Sequence, residues 1–480
     1  MTLSDRVLDI FKAMSLVPRQ SKHEDKIAAW LYDRAKSQGF DVERDEANNV
    51  IIRVPATQGY ENAPIIILQG HMDMVCEKTP ESQHNFDTDP IEVIIEDGWM
   101  HAKDTSLGAD DGLGVALALA MIEDPTIAHP ALEILVTSDE ETGMTGAMAL
   151  KPEQLKGRIL LNLDSEDEGI FTVGCAGGRE TRSTLALTRA PLAANMREIT
   201  VHISGLHGGH SGCEIHLGRA SAIKLAVRLI SQILDMTSDA RLVDIKGGSA
   251  HNAIPRDASF TVAVPAADAA KIAECMDKMG ATFASEYRKA DAGVKVQTTV
   301  RDAAGDAYDH ASLRRVCDML FCYPHGIASM SQDIDGLVET SCNLASLKIE
   351  NDTLHILSSQ RSSVSSKLDA ITARIEACVR LAGGNAVSGC SYPAWQPDMD
   401  ADILKRCIET YKARFHREPK IEIIHAGLEC GIIGSKINGM QMISFGPTVK
   451  SPHCPQERAE IATIPMVADF LVDLLASYKG

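Results

Sequence analysis

Four short apolar runs in this chain each lead to a histidine or a carboxylate, and that recurrence constrains the fold more than any other feature of its 480 residues. Ala131–Val136 runs into TSDEETGMTGA, which carries Glu140 and Glu141. PIIILQGHMDMV takes His71 and Asp73 past its apolar part, RILLNLDSED ends on Asp164, and GPTVKSPHCP places His453 after a fourth run. Each run has the length and bounds of a buried strand. LGADDGLGVALAL puts Asp110 before an apolar helix. Such strands alternating with helical stretches predict an α/β fold, a mixed sheet flanked by helices.

The length is too great for one compact core, so two domains are expected, with room for a third. Aromatic residues at 4% argue against stacking platforms for bases, and 66 acidic against 47 basic residues give a formal net charge of −19. That balance disfavours nucleic acid or an anionic membrane as partner. The opening MTLSDRVLDIFKAM is acidic where a secretory signal is basic, and no apolar run approaches membrane-spanning length, so a cytoplasmic protein is expected. The 12 cysteines are scattered without a Cys-x-x-Cys pair, which predicts reduced thiols.

In chain order, helices are predicted near 3–15 and 23–38, the second behind a Ser21/Glu24 capping box. EVIIEDGWMHA reads as a hairpin turning at Asp97-Gly98. GCAGGRE, residues 174–180, is read as turns leading out of the first domain, since it lacks the Lys-Ser/Thr ending of a phosphate loop. Beyond it the texture changes to βαββαβ, the order of a ferredoxin-like sandwich, followed by a partial echo of the same elements. The expected layout is one sheet domain in two parts, 1–184 and 388–480, interrupted by an inserted α+β ferredoxin-like domain, doubled, at 185–387. His453 then returns to the sheet that carries His71.

Histidine and carboxylate without thiolate form a borderline-to-hard ligand set suited to zinc, cobalt or manganese. Carboxylates outnumbering histidines suit two metals about 3.5–4 Å apart with a bridging carboxylate. In the expected arrangement Asp110 bridges, His71 and Asp164 complete one ion, and Glu141 and His453 complete the other. Water activated by the two ions would give its proton to Glu140, which would pass it to the leaving amine. Asp73, two residues beyond His71, suits the role of orienting the imidazole. Asp111 is as eligible as Asp110 to cap the following helix. Cys76 and Cys454 are read as small buried thiols, and Ser165–Glu168 as a solvated loop that could meet a substrate ammonium.

The ordered set GHMDMV, LGADDGLGVA, TSDEETGMTGA, NLDSED and SPHCPQE resembles the M20 family of dinuclear zinc peptidases. ISGLHGGHSGCEIHLG, GGSAHNAIPR and IIHAGLECG extend the likeness through the rest of the chain. The resemblance implies His71, Asp110, Glu141, Asp164 and His453 as metal ligands, Glu140 as general base and Asp73 as orienting residue. It implies that the two-part domain is the catalytic one and the inserted domain its lid, that His210 of GGHSG stabilises the oxyanion once the lid closes, and that Asn252 and Arg361 hold the substrate's carbonyl and carboxylate. The implied activity is hydrolysis of unblocked L-dipeptides, Xaa-His included, by a homodimer with two divalent ions per subunit. The competing readings are an M20 deacylase of N-acyl amino acids and a non-catalytic metal- or peptide-binding protein of the same fold.

Overall fold

In the computed structural model, which describes residues 1–332 and 334–479, the chain forms two compact units. One comprises residues 1–175, 395–423 and 428–480; the other comprises 176–394 and 424–427.

The first unit is built on an eight-stranded mixed sheet. Its strand order is Asp41–Arg44, Val50–Val54, Leu132–Thr137, Ile66–His71, Ile159–Asn162, Gln441–Ser444, Ile170–Cys175 and Lys420–Ile424. The four strands from Leu132–Thr137 to Gln441–Ser444 run parallel to one another, so their C-terminal ends share one edge of the sheet. Ile66–His71 and Leu132–Thr137 are buried at every position, as the continuous apolar runs require. Helix Ala109–Glu123 is buried from Asp111 to Ile122, which is why ADDGLGVALALAMIE has no polar face. A separate four-stranded sheet pairs Val449–Lys450, Arg458–Glu460, Trp99–Ala102 and Val93–Glu96. The turn of its hairpin is Asp97-Gly98, both at positive φ.

The second unit carries a sheet whose main path runs Lys295–Asp302, Met196–Ser204, Ala258–Pro265, Arg241–Gly247, Val338–Glu350, Thr353–Ser362, Gly177–Ala186, Asn385–Tyr392. Met196–Ser204, helix Ala222–Met236, Arg241–Gly247, Ala258–Pro265, helix Ala266–Glu286 and Lys295–Asp302 form one βαββαβ copy, with spatial order 4-1-3-2. Gly177–Ala186, helix His310–Cys322, Val338–Glu350, Thr353–Ser362, helix Ser365–Leu381 and Asn385–Tyr392 repeat that order in full. The copies join where their second strands pair, Lys246 opposite Lys348. One copy therefore lies in sequence between the first strand and first helix of the other.

Three local expectations change. GCAGGRE is extended, spanning the end of Ile170–Cys175 and the start of Gly177–Ala186. Glycine is required there for packing and not for turning, because a Cβ on Gly177 would lie 2.6 Å from the Ala394 nitrogen. This strand begins ahead of residue 185, where the composition shifts. Ser21 does not cap the second helix: the cap position is Glu24, and the Ser21 hydroxyl is committed to Asp73 at 2.7 Å. Ser165–Glu168 is not simply solvated, since Glu168 accepts from Tyr411 Oη at 2.6 Å and pairs with Arg417.

Candidate active site

The parallel strand ends deliver most of the chemistry. His71 is the last residue of its strand, Asp164 stands two residues beyond Asn162, and Glu140 and Glu141 three and four beyond Thr137. Asp110 enters from the start of helix Ala109–Glu123, next to a cis Asp110–Asp111 peptide bond. His453 comes from the loop after Val449–Lys450, so it is supplied by the four-stranded sheet and not by the sheet of His71 as expected. The reason is pairing: after Gln441–Ser444 the chain leaves the large sheet and forms a ladder with Arg458–Glu460.

These six side chains converge. His71 Nε2 lies 3.1 Å from Asp110 Oδ1 and 3.3 Å from Asp164 Oδ1. His453 Nε2 lies 3.0 Å from Asp110 Oδ2 and 2.9 Å from Glu141 Oε2. Asp110 thus stands between two imidazoles, one at each carboxylate oxygen. The ligand-type atoms of His71, Asp110 and Asp164 lie within 4.8 Å of one another, as do those of Asp110, Glu141 and His453, and those of His71, Glu140 and Glu141.

Charge is out of balance here. Burial pushes Asp111, Glu140 and Asp164 well above the ordinary carboxylate range, with neighbouring carboxylates adding to it. Asp110 stays low because, against its burial, His453 and His71 donate to it. The bonds to Asp110 and Glu141 push His453 up to about 11. Glu141 Oε1 is buried with no hydrogen-bond partner. A buried nest of oxygen and imidazole donors with surplus negative charge and an orphaned oxygen fits a pair of divalent cations.

Asp73 is held beneath this cluster. His71 Nδ1 lies 3.4 Å from its carboxylate, which also accepts the backbone N–H groups of Glu140 at 3.0 Å and Glu141 at 3.2 Å. One buried carboxylate therefore fixes an imidazole and both glutamates. Glu24 and Asp139 lie near it, tied into local bonds: Glu24 Oε1 accepts from Lys22 N and Asp139 N, and the Asp139 carboxylate from Thr142 and Thr145. That trio is a hydrogen-bond junction.

Two supporting residues, Asp111 and Glu457, make backbone contacts that the sequence does not signal. Asp111 Oδ2 accepts the His71 N–H at 3.2 Å, and a Cβ on Gly70 would lie 2.1 Å from that oxygen, so any larger residue there would displace the Asp111 carboxylate. Glu457 accepts the N–H groups of Leu107, Gly108, Ala109 and Asp110 at 2.7–3.3 Å, an anion seated at a helix start. Buried Arg19 ties the same turn together by donating to the carbonyls of Met72, Asp73 and Gly108. Glu457→Gln substitutes an NH2 for one of those two accepting oxygens. It is expected to destabilise the metal-free protein by about 1–3 kcal/mol, read by urea unfolding.

His210, Asn252 and Arg361 belong to the second unit. His210 Nδ1 accepts the N–H groups of Gly212 at 3.3 Å and Cys213 at 3.1 Å, so the ring proton resides on Nε2. Burial, then Arg361, hold this imidazole below its usual pKa, which keeps it a neutral donor. Arg361 is 7% exposed; its Nη1 donates to Tyr392 Oη at 2.7 Å, and its Nε has no partner. His210 and Asn252 line a cavity of about 1000 Å³ with His202, His207, Lys246 and Arg256. The Asn252 segment is fastened by Asn343, whose amide donates to the carbonyls of His251 and Ala253.

Imidazoles and carboxylates gathered at the parallel strand ends of a mixed sheet, around a place for cations, define a metal-dependent hydrolase. The chain belongs to the M20 peptidase family. Over 472 residues it is 38% identical to the cytosol non-specific dipeptidase of Escherichia coli (strain K12), covering 97% of this chain and 96% of that protein. It matches the structure of aminoacylhistidine dipeptidase from Vibrio alginolyticus with a TM-score of 0.91 and 38% identity, covering 99% and 98% of the two chains. Residues 201–291 match the peptidase dimerisation domain. Aminopeptidase PepT from Bacillus cereus, at 17% identity and a TM-score of 0.58 over 99% of each chain, shares the fold. Among the described residues, no helix is long and apolar enough to cross a membrane.

Proposed function

We propose that this protein is a cytoplasmic, homodimeric metallo-dipeptidase that hydrolyses the single peptide bond of unblocked L-dipeptides, Xaa-His substrates included. The observation that carries the reading is the Asp110 carboxylate held between His71 and His453, with Glu140 beside them. His71, Asp110 and Asp164 would hold one ion; Asp110, Glu141 and His453 would hold the other. Bound there, two divalent ions, zinc first with cobalt or manganese as alternatives, supply Lewis acidity toward the scissile carbonyl and acidify water.

The side chains divide the remaining work. Glu140 takes the proton of the attacking water and delivers it to the departing amine; its backbone is fixed by Asp73, which also orients His71. His210 offers its Nε2–H to the oxyanion. Arg361, buried and with an unsatisfied Nε, offers its guanidinium to the substrate's free carboxylate, and Asn252 its amide to the carbonyl. The names of the two relatives at 38% identity support dipeptides, aminoacyl-histidines among them, and support the cytosol. The dimerisation-domain match supports a homodimer.

The test combines metal analysis of the purified protein with hydrolysis of carnosine, Gly-Gly and their N-acetylated forms, with and without a chelator. Two ions per chain, chelator-sensitive cleavage of the free dipeptides and rejection of the acetylated ones are expected. Preferential turnover of the acetylated set would make the protein a deacylase. Stoichiometric metal without turnover of either set would make it a binding protein.

A further inference from the structure

One polar residue from each of five adjacent strands of the large sheet meets its neighbour in the core. They are Thr137, Gln69, Asn162, Ser444 and Thr172, all buried. Gln69 and Asn162 are register partners, as are Asn162 and Ser444, and Ser444 and Thr172. Polar side chains inside such a sheet need a reason, because each must be fully satisfied or it costs stability.

The chain of hydrogen bonds has a direction. It starts at Glu429, a fully buried residue at the head of helix Glu429–Lys436. Glu429 Oε2 accepts from Gln69 Nε2 at 2.7 Å and Thr137 Oγ1 at 2.6 Å. Because Oε2 is the acceptor of both bonds, Gln69 turns its NH2 toward Glu429 and its oxygen away. That oxygen accepts from Asn162 Nδ2 at 2.7 Å. Asn162 must then present its own oxygen onward, where it accepts from the Ser444 hydroxyl and from the backbone N–H of Asp164 at 3.4 Å. Ser444 and Ser165 close the row at 2.7 Å. Without an acceptor at its head, either amide could reverse, and nothing would hold the Asp164 N–H in its present partnership. Three of the linked strands lead to His71, to Glu140 and to Asp164.

We infer that Glu429 is a positioning residue for the metal centre: its carboxylate orients the Gln69 and Asn162 amides and so fixes the strand ends that present His71 and Asp164. The inference rests on the metallo-dipeptidase reading above. Burial pushes the Glu429 carboxyl up to about 7, and its Oε1 has no partner. An apolar residue there would avoid both costs, which sets this carboxylate apart from a packing choice.

The test is Co2+ binding to the full chain, followed by competition titration and visible absorption. Glu429→Leu, close in volume but without an acceptor, is expected to weaken binding about 10–100-fold, to alter the Co2+ absorption and to lower kcat/KM. Glu429→Gln, which can keep an oxygen facing Gln69 and Thr137, is expected to stay within about threefold of wild type. Gln69→Met breaks the row at its second link and is expected to reproduce the loss; it decides the matter if Glu429→Leu does not fold. Wild-type affinity and spectrum in a folded Glu429→Leu or Gln69→Met protein would overturn the inference. A wild-type chain that binds no pair of ions would instead overturn the functional reading beneath it.

Discussion

Glu140→Ala is expected to lower kcat by roughly 10²–10⁴-fold while the protein still binds two ions, the loss characteristic of removing a general base. Glu140 lies within the group formed with His71 and Glu141, but outside both triads that include Asp110. Its removal leaves Asp110, Glu141, Asp164 and both histidines in place. KM should change little, because substrate binding is assigned to Arg361 and Asn252. Metal content by elemental analysis, read beside kcat, separates this outcome from simple loss of the centre. Undiminished turnover with both ions present would refute the assignment of the base.

Asp110→Ala should act in the opposite order, on metal first. The two oxygens of Asp110 face different imidazoles at 3.1 and 3.0 Å, so one truncation strips a donor from each triad. Binding of both ions should weaken by more than the roughly 100-fold typical of losing a partner outside the ligand set, and activity should fall with it. Titration of the metal-free protein measures the effect. A variant that retains two tightly held ions would show that Asp110 does not serve both sites.

Much of this was readable in the order of residues because it depends on local pattern. The apolar runs before His71, Glu140 and Asp164 are strands because they are buried on both faces, and their polar ends follow from where those strands stop. The origin of His453 was not readable, because Val449–Lys450 is only two residues long and its sheet is set by pairing with Arg458–Glu460. Ser21 fits a capping box by spacing, yet its hydroxyl is taken by Asp73, 52 positions away. Glu457 and Glu429 act across separations of 347–350 and 292–360 residues, distances over which no periodicity operates. Glu457 stands inside SPHCPQE, close enough to His453 to have attracted notice, but its partners are backbone amides that no side-chain pattern reveals.

The nesting of one βαββαβ copy within the other fixes what a ribosome can finish first. Residues 196–302 hold every strand and helix of the inner copy, so that half can close while the rest of the polypeptide is still being made. Gly177–Ala186 emerges earlier still, yet both of its ladder neighbours, Thr353–Ser362 and Asn385–Tyr392, are synthesised long afterwards. During elongation its backbone donors and acceptors stay unmatched beside a completed neighbour, which makes this ten-residue strand a segment in need of shielding in a nascent chain.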